Sequence, residues 1–90
     1  MSLYQIKKIR SNIDNIDNKI IQLLGSRKKY VLQIAKYKSK KTIVDKKRIN
    51  FILTKIRKEA IKNKIDPKLV IKFWKQLINY SIKIERKLVK

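Results

Sequence analysis

Arg27 and Lys38 occupy helix-stripe positions that belong to hydrophobes. Ile6, Ile9, Ile13, Ile16, Ile20 and Leu23 recur at a three-then-four spacing that resumes at Val31 and Ile34, the period of one helix face. The same spacing sets Arg27 between Leu23 and Val31, and Lys38 four residues after Ile34. A cation in a buried seam is costly unless an anion meets it. The chain has six acidic residues against 26 basic ones, so it offers few anions of its own. The pattern suits a small polyanion. Arginine narrows the class. Five arginines stand among 21 lysines, and a guanidinium grips a carboxylate with two parallel hydrogen bonds, which an ammonium cannot do. Arg10, Arg27 and Arg48 are therefore the candidates for gripping carboxylate on such an anion, while Arg57 and Arg86 read as surface residues.

Other chemistries are bounded by what is missing. No cysteine and no histidine occur, which removes thiol nucleophiles, disulfides and the commonest general base and metal ligand. No metal or cofactor site is read. No apolar run approaches the ~20 residues of a membrane span, and the start lacks a signal-peptide core; a soluble, cytoplasmic protein is expected. The net charge of +20 raises a nucleic-acid reading. The lysines, however, spread over every segment, and the aromatic residues are too scattered for a stacking platform. Neither nucleic acid nor a membrane is the expected partner. The charge does provide a field that draws in small anions.

Few, long elements must position these groups, because the chain has one glycine and one proline. The fold class is all-α, three helices in a single domain over residues 1–90. The first helix is expected from Leu3 to about Lys40, ~57 Å at 1.5 Å per residue. Gly25 falls inside it, and close packing on a partner helix is the usual reason for such a glycine. A short polar connection follows, over Ser39 to Val44. The second helix starts after Asp45, an N-cap, and carries Ile49, Ile52, Leu53, Ile56 and Ala60 on one face to about Asn63. Asp66-Pro67 starts the third, which buries Leu69, Val70, Phe73, Trp74, Leu77 and Ile78 and runs to about Leu88. Two shorter helices cannot cover the first, so a second copy of the chain is expected on it. Arg10 and Arg27 lie about 25 Å apart along the axis, too far to share a small ligand within one chain. An antiparallel partner would bring its own Arg10 toward Arg27.

An ordered set of positions resembles the all-α class of chorismate mutases. It runs Ile9-Arg10-x-x-Ile13-Asp14-x-Ile16-Asp17-x-x-Ile20, Leu23-Leu24-x-x-Arg27-x-x-x-Val31, then Ile34-Ala35-x-Tyr37-Lys38, Asp45-x-x-Arg48 and Ser81-x-x-x-Glu85. The resemblance covers nearly the whole chain. It implies an intertwined homodimer of three-helix subunits, each site completed by an Arg10 donated across the interface. Arg10 and Arg27 would bind substrate carboxylate, and Lys38 the ether oxygen and a neighbouring carboxylate. Asp45 and Arg48 would lie around the ring, Ser81 would make a minor contact, and Glu85 would donate to the ether oxygen.

That activity asks for none of the missing residue types. Chorismate becomes prephenate by a pericyclic shift, which needs a bound reactive conformer and stabilisation of charge on the breaking C–O bond. One departure supports an alternative. Mutases usually carry a glutamate after the arginine at Arg48; this chain has Ile49. The isochorismate-pyruvate lyases of salicylate biosynthesis share the fold and tend to be apolar there. They also resemble this chain at Leu24-Gly25-x-Arg27 and Tyr30-Val31. A non-enzymatic, basic, nucleic-acid-binding helical protein is the third reading.

Overall fold

In the computed structural model, residues 2–89 are described. Helix α1 spans Leu3–Ala35, a 3-10 helix spans Lys40–Thr42, α2 spans Lys46–Lys62 and α3 spans Pro67–Leu88. No strand occurs among the described residues. By its Cα packing the chain divides into two compact units, one up to Tyr30 and one from Val31 onward.

The first unit is the bulk of α1. Its start is closed by a capping box: the Gln5 amide donates to Ser2 Oγ at 3.2 Å, and the Ser2 amide donates to Gln5 Oε1 at 2.9 Å. Two otherwise orphaned donors are thereby satisfied. The stripe Ile9, Ile13, Ile16, Ile20 and Leu23 is exposed in the single chain, Leu23 to 68%. Gly25 is exposed too, and a Cβ there would meet nothing within 4 Å. Packing inside the chain therefore does not explain this glycine.

The second unit holds the end of α1, the connection, α2 and α3. Helix α1 stops at Ala35 rather than near Lys40. The amides of Lys36, Tyr37 and Lys38 turn back to carbonyls three residues earlier, the tightening typical of a helix end. Ser39 and Thr42 then organise their own turn. The Ser39 amide donates to Thr42 Oγ1 at 2.9 Å, and the Thr42 amide donates to the Ser39 carbonyl at 3.0 Å. Such local bonds compete with a continuing helix.

Helix α2 begins where Asp45 caps it, its carboxylate accepting from the Arg48 amide at 3.0 Å. It ends through Asn63, whose amide donates to the Glu59 carbonyl, and Lys64 at φ 58°. Asp66 caps α3 by accepting from the Lys68 amide at 2.9 Å, with Pro67 in the first turn.

Helices α2 and α3 pack on each other. Ala60 and Ile78 are buried, while Ile49, Ile52, Leu53, Ile56, Val70, Trp74 and Leu77 are half-buried. Leu69 and Phe73 depart from the expected core: both are exposed in the single chain, Phe73 with its ring edge-on to Trp74 at 5.5 Å. The apolar stripe on α3 is wider than the surface α2 can cover. A second buried cluster joins Ala35, Ile43 and Val89, with Ile82 packed against it.

Candidate active site

The site is best built from Glu85, the one buried charged residue among those described. Four residues apart on α3, Ser81 and Glu85 share a face. Ser81 is half-buried, and its hydroxyl donates to the Leu77 carbonyl at 3.0 Å. Glu85 meets Lys38 across the unit: Lys38 Nζ donates to Glu85 Oε2 at 3.2 Å. The two side chains differ in burial, 22% exposed for Lys38 and 6% for Glu85. The carboxylate is desolvated, while the ammonium still reaches water.

Around Asp45 and Arg48 the helix start does most of the arranging. Asp45 is exposed and engaged as the cap of α2. The amide it accepts from is that of Arg48, so one candidate residue orients the backbone that carries the other. Arg48 is exposed, with its guanidinium 5.3 Å from the Phe51 ring centroid. That cation–π contact is worth about 0.5–1 kcal/mol at an exposed position, and it holds a flexible side chain over one face. Ile49, next in the chain, is half-buried and apolar. A shallow hollow along α2, lined by Lys47, Asn50, Phe51, Thr54, Lys55 and Lys58, shares none of the candidate residues.

In the first unit, Arg27 is half-buried and Arg10 exposed on α1. At 1.5 Å per residue they stand about 25 Å apart along that helix, as its spacing required. The structure thus joins Lys38 to Glu85 and Asp45 to Arg48, sets Ser81 beside Glu85 on one helix face, and separates Arg10 from Arg27.

Phe51 was not singled out from sequence; the arginine-to-aromatic spacing of three on a helix is the signal that finds it. The Ala35–Ile43–Val89 cluster left no such signal. No group of three or more His, Cys, Asp or Glu able to hold a metal occurs among the described residues. No helix is long and apolar enough to cross a membrane, among the described residues.

The chorismate mutase type II family model matches residues 9–86, a span that takes in all eight candidates from Arg10 to Glu85. A bifunctional chorismate mutase/prephenate dehydratase of Buchnera aphidicola is 37% identical over 82 residues, covering 89% of this chain and 21% of that protein. A chorismate mutase of Methanocaldococcus jannaschii is 30% identical over 84 residues, covering 91% of this chain and 85% of that one. The chain therefore spans about a fifth of the bifunctional relative and most of the shorter one. A three-helix chain carrying this ordered cationic set, matched from Ile9 to Arg86, belongs to the chorismate mutase type II family.

Proposed function

We propose that the chain converts chorismate to prephenate in aromatic amino-acid biosynthesis, as a cytoplasmic enzyme. The observation that carries this is the Lys38–Glu85 contact at 3.2 Å, within a chain that belongs to this family. In the reaction the ether C–O bond breaks as a C–C bond forms between the side chain and the ring. No proton or electron leaves the substrate. The protein has to hold the folded conformer and oppose charge growing on the ether oxygen.

Each candidate has a role in that step. Arg27, with Arg10 of the partner subunit, grips the carboxylates. Lys38 turns from Glu85 to the ether oxygen and the nearby carboxylate. Glu85, once protonated, donates to the same oxygen. Arg48, Asp45 and Ile49 bound the ring, and Ser81 lies at the edge. In the free chain the pair satisfies itself, and the substrate replaces one half of that contact.

A homodimer completes the site. Its support is the exposed stripe from Ile9 to Leu23, which a second copy's α1 would cover, and the axial distance between Arg10 and Arg27. Ile49 favours one second reading, an isochorismate-pyruvate lyase, because an apolar side chain cannot accept from a ring hydroxyl. Incubating the protein with each substrate decides between them. Prephenate from chorismate supports the mutase; salicylate and pyruvate from isochorismate, made far faster, supports the lyase. Turnover of neither, with duplex DNA bound tighter than about micromolar at physiological salt, supports the basic-protein reading.

A further inference from the structure

Lys38 lies in an excursion of chain pinned at both ends to one place. Ala35, the last residue of α1, and Ile43, just after the 3-10 helix, are both buried against Val89, with Ile82 packed alongside. Val89 follows α3, and its amide donates to the Glu85 carbonyl at 2.8 Å. Ile82 and Glu85 stand three apart on α3, and Val89 is the cap residue that follows its last turn. One apolar cluster therefore fixes the root of the segment bearing Lys38 and the turn bearing Glu85. Between the pins, Lys38 is flanked by the tightened end of α1 and by the Ser39–Thr42 turn.

We propose that Val89 is a positioning residue for the reaction, acting through the Lys38–Glu85 pair and seated for that purpose against Ala35, Ile43 and Ile82. Removing its two methyl groups takes contacts from both anchors at once and leaves a cavity between them. The ammonium and carboxyl then lose their common register, and a misplacement of about 1 Å costs up to about a hundredfold in rate. The kinetic consequence rests on the mutase reading; the geometric one does not.

Two measurements on the full chain test this. The first is an NMR contact between the Lys38 ε-methylene and the Glu85 γ-methylene, present in the parent and in Val89→Ile, and lost in Val89→Ala. The second is kcat with chorismate, expected about tenfold lower in Val89→Ala and near the parent in Val89→Ile. In a Glu85→Ala background, adding Val89→Ala should change kcat by less than about twofold, because residues acting as a unit are non-additive. Ile56→Ala, in the α2–α3 packing, controls for lost stability and should keep kcat per folded molecule. Should Val89→Ala unfold, Ile43→Val carries the same comparison with a smaller expected loss. An unchanged contact, or an equal tenfold loss in both backgrounds, overturns the proposal. A parent inactive on chorismate sinks the mutase reading instead, and the NMR contact still decides the positioning.

Discussion

Lys38 and Glu85, far apart in the chain, meet with Nζ 3.2 Å from Oε2, and only the carboxylate is deeply buried. As the lysine's partner, Glu85 accepts a hydrogen bond. As a catalyst of C–O cleavage it must donate one, which a carboxyl does only when protonated. A glutamine in its place would always carry such a donor.

Glu85→Gln always carries a donor for the ether oxygen, so its kcat on chorismate should be higher than the parent's. Steady-state kinetics of both proteins checks this. A glutamine variant slower than the parent removes Glu85 from its catalytic role.

Arg27→Ala should lower kcat/KM by roughly a hundred- to a thousandfold, the loss of a close charge pair with substrate carboxylate. Lys62→Ala, an exposed substitution at the end of α2, should leave it unchanged. Circular dichroism confirms that both retain their helices. Equal effects from the two substitutions would mean that charge in general, rather than Arg27, does the binding.

If Arg10 serves the partner's site, Arg10→Ala and Arg27→Ala chains are each inactive alone. Unfolded together and refolded, they should regain activity, because one site in each heterodimer is intact. Sedimentation should report a dimer throughout. A monomer, or a verified heterodimer without activity, rules out the shared site.

Ile49→Glu supplies an acceptor for a ring hydroxyl at the start of α2. Mutase activity should rise or hold steady, and any lyase activity should fall. Parallel assays on chorismate and isochorismate read both. A selective gain in lyase activity would reverse the assignment of Ile49.

Asp45 separates capping from catalysis. Asp45→Asn keeps an acceptor for the Arg48 amide and should keep stability, whereas Asp45→Ala should cost about 1 kcal/mol and lower Tm by roughly 5 °C. If Asp45 also faces substrate, Asp45→Asn lowers kcat/KM with Tm unmoved. Calorimetry beside kinetics distinguishes the two.

The helices were legible in the sequence because their signals are local. Asp45 and Asp66-Pro67 mark starts by hydrogen bonds within a few residues, and the observed α2 and α3 begin where those signals lie. Arg27 and Lys38 were conspicuous because they interrupt an apolar period, and Arg10 and Arg48 stood out as arginines in a chain rich in lysine, whereas Glu85 came only from the resemblance to the mutases.

The end of α1 was not. Nothing in Lys36-Tyr37-Lys38-Ser39-Lys40 forbids a helix; its stop at Ala35 goes with the Ser39–Thr42 turn and with the burial of Ala35 and Ile43 against Val89. Likewise the exposure of Leu69 and Phe73 depends on how much of α3 its neighbours cover, a quantity that no local period contains. The sequence by itself determined which elements form and which side chains carry charge, through capping, spacing and composition. The tertiary structure decided which charges meet: the Lys38–Glu85 contact needs two distant segments brought to one apolar cluster, and such closure is set by packing.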